Sequence, residues 1–212
     1  MAVLTINSTG TTVTGNTGTG KYCSSVNLCN ITIGSLNCRG LNDKAKRIEL
    51  FNFLKCSKLT FIFLQETKLN PLRHNEYRKE WHNSNMVLNS IPGGRSGTAL
   101  LINSPNIKIQ NKIIDQSGRI ITVDVDMYGN KFHLVNTYFP NEHNLKEDFI
   151  CSLYPYLASN YPIIWSGDFN IALNPIIDTL RSRNGKDFCT NQLQEIIEYF
   201  ALIDVCRLIN PV

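Results

Sequence analysis

Short apolar segments of strand length alternate with amphipathic segments of helical period from residue 30 onward, and this order most constrains the fold. The first strand is predicted over residues 31–37, a helix over 43–55 and a second strand over 60–65. Because a helix must bury its apolar stripe on another element, strands interleaved with helices predict a layered α/β protein.

One pair of strands is predicted to form an antiparallel hairpin. Apolar and polar residues alternate from Ile121 to Met127, which is typical of a half-buried strand. Tyr128, Gly129 and Asn130 then form a turn into a strand over residues 131–139. A hairpin combined with crossover helices indicates two sheets between helices rather than one doubly wound parallel sheet.

The remaining elements follow from the same periodicities. Further strands are predicted near residues 86–90, 98–103, 108–114 and 162–165, and further helices over 74–81, 145–158 and 190–200. The buried stripe of the helix over 43–55 is expected to consist of Ala45, Ile48, Phe51 and Leu54.

Residues 1–29 are dominated by Ser, Thr, Gly and Asn, which predicts a flexible leader before one folded domain over residues 30–212. Within this leader, residues 15–21 have the G-x-x-x-x-G-K spacing of a phosphate-binding loop. Tyr22 stands where such a loop needs a Ser or Thr hydroxyl for magnesium, so we do not expect a nucleotide site there.

Charge and cysteine content restrict the class of protein only loosely. A net charge of +4 permits a polyanionic partner without requiring one. The seven cysteines are odd in number and form no C-x-x-C pair, which indicates reduced thiols. No apolar run approaches the ~20 residues of a membrane helix, and the first residues lack signal-peptide features. We therefore expect an intracellular protein of the nucleus or cytoplasm, neither secreted nor embedded in a membrane.

The predicted strand over residues 162–165 runs directly into Asp168 and Asn170. If the backbone stays extended, residues two apart share one face, so the two side chains would point into one cleft. Hydrolysis of a phosphodiester needs a carboxylate for the proton of water and a neutral donor beside it. The alternative is an Asx turn that merely closes the strand.

Three further strands end in polar residues, namely Asn37, Glu66 and Tyr138. Each has a structural alternative: Asn37 as a turn former, Glu66 as a cap of the following segment or in a pair with Lys68, and Tyr138 as a core residue with its hydroxyl at the rim. Taken together, the four strand ends predict a polar site at one sheet edge, where α/β proteins usually bind ligands.

Four motifs carry a resemblance to a known family. In chain order they are LNCRGL at 36–41, LQETK at 64–68, NTYFP at 136–140 and GDFN at 167–170. The set resembles the exonuclease–endonuclease–phosphatase (DNase I-like) superfamily over residues 30–212. With residues 167–179 included, it is most similar to the apurinic-type endonuclease domain of LINE-like non-LTR retrotransposons.

This resemblance implies an α/β four-layer αββα sandwich and a magnesium-dependent nuclease that nicks DNA, with manganese as the alternative cation. Glu66 would be the metal carboxylate, and Asn37 would lie beside the metal and Asp168. Tyr138 would donate to the scissile phosphate, Asp168 would handle the proton of the attacking water, and Asn170 would fix the geometry.

Basic residues are candidates for contacts to the DNA backbone. The loop after the last predicted catalytic strand offers Arg181, Arg183 and Lys186. The first helix offers Lys44, Lys46 and Arg47, for which solvated surface is the favoured interpretation. Arg119 is interpreted as structural.

The chain departs from the family pattern in one respect. That pattern ends in a Ser-Asp-His strand that completes the site, whereas all four histidines here precede Asp168. We therefore expect the sandwich to lack its last strands, and two hypotheses follow. The chain is either the endonuclease part of a longer polyprotein with a reverse transcriptase, or a catalytically inactive truncated remnant with weak nucleic-acid binding. A phosphoinositide or sphingolipid substrate is disfavoured, since no membrane-binding feature occurs.

Overall fold

The computed structural model describes residues 31–81, 85–173 and 188–209. The first three strands are β1 (Ile33–Asn37), β2 (Phe61–Gln65) and β3 (Met86–Asn89), followed by β4 (Thr98–Ile102), β5 (Ile107–Ile114), β6 (Ile120–Met127), β7 (Asn130–Tyr138) and β8 (Ile163–Asp168). The helices are α1 (Lys44–Cys56), α2 (His74–Trp81), α3 (His143–Cys151), α4 (Tyr154–Leu157), α5 (Phe188–Tyr199) and α6 (Val205–Ile209), with one 3-10 turn at Pro71–Arg73.

The strands form two four-stranded sheets, with orders β1-β2-β4-β3 and β5-β6-β7-β8. In each sheet one pair is parallel, β1 with β2 and β7 with β8, and the other pairs are antiparallel. The β6–β7 hairpin is confirmed, because Met127 faces Asn130 across a two-residue turn. Tyr128 and Gly129 in that turn both have positive φ, at 54° and 83°, as a type I′ turn requires.

Three apolar layers hold the fold together. Phe61 and Phe63 of the first sheet meet Leu134 and Ile164 of the second in the core between the sheets. Helices α1 and α2 cover the outer face of the first sheet. Helices α3, α4 and α5 cover the outer face of the second sheet around Trp165. The predicted αββα sandwich is therefore confirmed over the described residues.

The predicted stripe of α1 is half wrong. Phe51 and Leu54 are buried as expected, but Ala45 and Ile48 face solvent and Arg47 lies on the buried side. Asp43 precedes the helix as its N-cap, where its side chain accepts a hydrogen bond from the backbone N–H of Lys46 at 2.7 Å.

The helix predicted over residues 145–158 is two helices. α3 ends at Cys151 and α4 begins at Tyr154, with Pro155 in its first turn. Proline has no backbone N–H to continue the preceding helix, which accounts for the break. The strand predicted over residues 162–165 extends through Asp168.

The flexible leader predicted over residues 1–29 lies outside the described residues. Among the described residues, Cys38, Cys56 and Cys151 form no disulfide, as expected for reduced thiols. In the same part of the chain, no helix combines the length and apolarity needed to cross a membrane.

Candidate active site

Four polar side chains converge at the carboxyl ends of the two parallel strand pairs. Asn37 ends β1 and Glu66 directly follows β2, while Tyr138 ends β7 and Asp168 ends β8. The register places Tyr138 opposite Asp168 within the second sheet and Asn37 opposite Gln65 within the first. Because β1 and β8 contact each other across the sandwich, the two pairs meet at one edge.

Asn37 joins the two sheets at this edge. Its side-chain amide donates to Asp168 Oδ2 at 2.7 Å, and it is near enough to the Glu66 carboxylate to lower the pKa of that group. Its Oδ1 accepts the backbone N–H of Arg39 at 3.0 Å, so Asn37 shapes the turn after β1 as well. One amide therefore fixes the Asp168 carboxylate relative to β1 and its loop, and it lies beside the Glu66 carboxylate.

Asn170 is placed differently from its prediction. Strand β8 ends at Asp168, and Asn170 has a left-handed backbone with φ 48°, so the two residues do not share a strand face. The Asn170 side chain instead donates to the carbonyl of Phe139 at 2.9 Å. Its backbone N–H donates to Asp168 Oδ1 at 3.2 Å, which is the Asx turn of the alternative reading.

The loop at Asn170 is fixed from the helical side too. Lys146 of α3, which is nearly buried, donates from Nζ to the Asn170 carbonyl at 2.7 Å. Asp168 thus has both carboxylate oxygens occupied, one by Asn37 and the other by the Asn170 backbone. Its carboxylate is held in one orientation before any substrate binds.

Glu66 lies beside a cation from its own loop. Lys68 Nζ is 2.6 Å from Glu66 Oε1. Burial acts to raise the pKa of Glu66, but hydrogen bonds from Lys68 and Asn37 and the positive charges of Lys68 and Arg39 outweigh it, so the pKa lies below its ordinary value. Glu66 is therefore ionised at neutral pH and available to a cation.

Tyr138 has the opposite tendency. Burial and the negative charges of Glu66 and Asp168 raise the pKa of its phenol, against the Arg119 charge and a hydrogen bond with Asn141. The hydroxyl is therefore protonated and can donate a hydrogen bond. Asn141 escaped the sequence analysis, although it follows the NTYFP motif directly.

Arg119 contacts Tyr138 in two ways, which agrees with its interpretation as structural. Its guanidinium lies over the Tyr138 ring at 4.9 Å and donates to the Tyr138 carbonyl at 3.0 Å. The Tyr138 backbone N–H in turn donates to the Arg119 carbonyl at 2.9 Å. The phenol is held at the edge of the second sheet by these contacts.

Left-handed backbone is concentrated around the site. Four non-glycine residues there have positive φ, namely Arg39 at 48°, Glu66 at 52°, Lys68 at 51° and Asn170 at 48°. Each such residue costs of order 1–3 kcal/mol, so strain of this kind persists where surrounding contacts enforce it. Its clustering at these strand ends is typical of a functional site.

The chain's sequence matches the profile of the Endonuclease/Exonuclease/phosphatase family over residues 34–195. This chain belongs to that family. The four strand ends described above all lie within the matched residues.

Similar proteins include two curated relatives. A Xenopus laevis protein described as "Transposon TX1 uncharacterized 149 kDa protein" is 27% identical over 190 residues, which cover 85% of this chain and 14% of that protein. A DNA-(apurinic or apyrimidinic site) endonuclease of Dictyostelium discoideum is 33% identical over 129 residues, covering 51% of this chain and 33% of that protein. This chain therefore spans about a third or less of the length of each of these relatives.

A solved structure shares the fold. The AP endonuclease from Archaeoglobus fulgidus has a TM-score of 0.67 and 21% sequence identity, with 85% of this chain and 75% of that chain covered. At this identity the likeness concerns the fold, and it agrees with the two-sheet sandwich predicted for the family.

Glu66 and Asn37 are residues at this edge that could hold a divalent cation. No group of three or more His, Cys, Asp or Glu side chains able to hold a metal occurs in the described part of the chain. Magnesium uses one or two carboxylates and keeps several waters, which the Glu66 carboxylate and Asn37 amide oxygen can satisfy. Burial raises the pKa of the neighbouring Cys38 thiol to about 12, which keeps it from acting as a thiolate ligand.

The predicted basic contacts have mixed outcomes. Arg181, Arg183 and Lys186 lie outside the described residues. Lys44 is exposed, as expected for solvated surface, but Lys46 donates from Nζ to the carbonyls of Cys38 and Gly40 at 2.8 and 2.9 Å. Arg47 is fully buried, so it is neither solvated surface nor a DNA contact.

Proposed function

We propose that this chain hydrolyses phosphodiester bonds and nicks DNA in a magnesium-dependent reaction. The observation that carries the proposal is the Asn37 amide between the Asp168 and Glu66 carboxylates at the meeting point of two sheets. A proton acceptor, a metal-binding carboxylate and a phenol donor then share one cleft edge. This is the set of groups that in-line attack of water on a phosphodiester requires.

Asp168 takes the proton of the attacking water. Hydrogen bonds from Asn37 and from the Asn170 backbone fix its orientation and leave its remaining lone pairs for the water. Asn170 acts through the loop after β8, since its side-chain amide donates to the carbonyl of Phe139, the residue that follows β7. Its proposed role of fixing the geometry rests on these bonds.

Tyr138 donates its hydroxyl to a phosphoryl oxygen of the scissile phosphate. The raised pKa keeps the proton on the phenol, and Arg119 holds the ring in place. A fixed donor directed at developing negative charge stabilises the transition state more than the ground state.

Glu66 and Asn37 would hold the magnesium ion, with manganese as the alternative. When bound, the cation supplies polarisation of a phosphoryl oxygen and offsets charge on the leaving oxygen. Lys68 holds the Glu66 carboxylate in the ionised form that such binding needs. Lys68 must share Glu66 or move aside on binding.

DNA is the proposed substrate, and the described relatives support it. One relative is a DNA endonuclease and another is a transposon protein, and this chain carries a net charge of +4. We place Arg181, Arg183 and Lys186 on the DNA backbone. The chain covers 14% of the transposon protein, and we infer that it is part of a longer polyprotein with a reverse transcriptase. We propose that it cleaves the DNA target site of that polyprotein, in the nucleus or cytoplasm.

The second candidate is a catalytically inactive remnant that binds nucleic acid weakly. The observation that favours it is the placement of the described histidines. His74 bonds Ser90 and His133 bonds Asp124 at other elements, so neither supplies the histidine of the Ser-Asp-His pattern.

The deciding experiment incubates the chain with supercoiled plasmid and magnesium, beside Asp168→Asn and the exposed control Asp148→Asn. We expect nicking by the wild type and the control and a loss of about 10²–10⁴-fold in the Asp168 variant. Equal nicking by all three proteins would remove Asp168 from the mechanism. Binding of plasmid without nicking by any of them would establish the remnant.

A further inference from the structure

The side chains between the two sheets change character in the same order on each strand that reaches the site. On β7 the inward row is Leu134, then Asn136, then Tyr138, and all three are buried. Alternate residues of a strand share a face, so the row runs from the apolar core through one polar residue to the site. The same pattern on other strands would define a separate layer.

Strands β1 and β8 repeat this order, and β2 repeats its first two steps. On β8 the row Ile164, Ser166 and Asp168 matches it, and on β1 the row is Ile33, Ser35 and Asn37. On β2, Phe63 is followed by Gln65. Ser35, Gln65, Asn136 and Ser166 therefore form a polar layer directly behind the site, which we name the amide layer.

Hydrogen bonds within the amide layer cross from one sheet to the other. Gln65 Nε2 donates to Asn136 Oδ1 at 2.9 Å and to Ser35 Oγ at 3.1 Å. Asn136 Nδ2 donates back to the carbonyls of Leu64 at 3.1 Å and Ala99 at 2.9 Å. Gln65 is 1% exposed and Asn136 0%, so these bonds are shielded from water.

These bonds do something that the apolar core cannot. Hydrocarbon packing is non-directional, so it brings the sheets together without fixing one position along the strands. Buried amides are costly unless paired, and Gln65 and Asn136 pair only when the sheets are in this register. The register is therefore specified immediately behind the two halves of the site.

We propose that Gln65 and Asn136 are positioning residues that set the separation between Asn37 and Glu66 on one sheet and Tyr138 and Asp168 on the other. Gln65 immediately precedes Glu66 in the sequence, and Asn136 lies two residues before Tyr138 on the same strand face. The kinetic part of this proposal rests on the proposed nuclease function. The structural part concerns the two strand ends alone.

The test uses Gln65→Met and Asn136→Leu, which keep side-chain volume but remove the bond between the sheets. Phe63→Leu is the matched control, because it loosens the same inter-sheet face one step further from the site without removing a directional bond. Backbone hydrogen exchange of the whole chain, resolved by residue, is measured together with kcat and KM for nicking of a duplex oligonucleotide.

We expect both amide variants to exchange faster at Asn37, Glu66, Tyr138 and Asp168 than the control does, when stability is matched by temperature. The value of kcat should fall about 10- to 100-fold with KM little changed, since displacement of reacting groups affects the chemical step. The loss in the double variant should be smaller than the two single losses combined, because each single variant already removes the bond that Gln65 and Asn136 share.

The proposal would be overturned if hydrogen exchange in the amide variants rose uniformly along the chain and by the same amount as in the Phe63→Leu control. It would also be overturned if a destabilised amide variant kept the kcat of the wild type. If the wild type fails to nick, the proposed function fails, and the exchange comparison still decides whether the amide layer positions the strand ends. The two failures are therefore distinguishable.

Discussion

Asn37 and Asp168 are 131 residues apart in the chain, yet the amide of one donates to the carboxylate of the other at 2.7 Å. The bond joins β1 and β8, which belong to different sheets and contact each other across the sandwich. Because Asn37 also lies beside Glu66 and lowers its pKa, it links the groups that we assign to metal binding and to proton transfer. Its neutral amide has chemical consequences that substitution can test.

Changing Asn37 to Asp should be far more damaging than its small change in size suggests. The new carboxylate would lie within hydrogen-bond distance of Asp168 and beside Glu66, so a donor is replaced by a third negative charge. We expect loss of about 10²–10³-fold in the single-turnover nicking rate, measured on a labelled duplex. Asn144→Asp, on the exposed side of α3, should nick like the wild type. Full activity of the Asn37 variant would mean that the amide is dispensable.

Tyr138→Phe should fold normally and lose a single hydrogen-bond donor. Arg119 lies over the ring, and that contact survives in phenylalanine. We expect a loss of about 10²-fold in kcat, as for other donors to developing oxyanions. Because the pKa of Tyr138 is raised above its ordinary value of 10.0, wild-type activity should not fall through phenol deprotonation until the pH exceeds that value.

The matched control is Tyr156→Phe, since Tyr156 is a partly buried tyrosine whose pKa is raised like that of Tyr138. Its hydroxyl is removed in the same way, but the residue belongs to α4 and not to the site. Equal loss of nicking in both variants would show that phenol removal acts through stability alone. Thermal unfolding of the two variants separates an effect on stability from an effect on catalysis.

The fold could be predicted from the sequence because its strands and helices carry clear periodicities. The alternation from Ile121 to Met127 and the turn at Tyr128 and Gly129 produced the hairpin. The site followed from polar residues at strand ends, which parallel pairing necessarily gathers at one edge. Local signals of this kind need no knowledge of distant partners.

The features that were missed depend on distant partners or on local backbone strain. Arg47 is buried because Glu80 and Tyr77 neutralise and cover its guanidinium, and apolar periodicity cannot reveal that. Asn170 departs from the strand face because its backbone is left-handed, held by Phe139 and Lys146. Spacing along the chain contains neither contact.

The pair of buried Arg47 and partly exposed Glu80 should contribute to stability. Arg47 Nε and Nη2 donate to the two Glu80 oxygens at 2.6 and 3.0 Å, and Nη1 donates to the Leu41 carbonyl at 2.7 Å. Replacing Arg47 with Leu leaves the Leu41 carbonyl and the partly exposed Glu80 carboxylate without this partner. We expect a loss of about 1–3 kcal/mol in the free energy of unfolding, measured with urea at pH 7.

Acid should weaken the ion pair between Arg47 and Glu80, because protonation removes the negative charge of Glu80. The hydrogen bond from Arg47 holds this pKa below its ordinary value of 4.5 in the folded state. The pair therefore stabilises the fold above that value, and its contribution is lost as the pH falls through the lower folded pKa. Glu80→Gln should be less stable than the wild type at pH 7 and approach it in acid. Glu76→Gln, in an exposed pair with Arg73 that also lowers the Glu76 pKa, should converge in the same direction but from a smaller difference at pH 7.

Gly167→Ala should damage both the fold and the site, because this glycine lies where β8 packs against β7. A Cβ there would be 2.1 Å from the Thr137 carbonyl oxygen and 2.7 Å from its hydroxyl oxygen. Since the closer atom is backbone within a parallel strand pair, relief requires moving β8 itself. We expect a loss of at least about 1–3 kcal/mol in the free energy of unfolding.

Because Asp168 follows Gly167 directly, the strand movement should also displace the carboxylate from the Asn37 amide. Gly129→Ala is the matched control, since it meets no atom within 4 Å and suffers only from its φ of +83°. That variant should lose stability without losing nicking activity once both proteins are compared well below their unfolding temperatures. Gly167→Ala should remain impaired at the same temperature, because its defect lies in the position of Asp168 in the folded state. Recovery of wild-type activity in folded Gly167→Ala would show that Asp168 tolerates movement of β8.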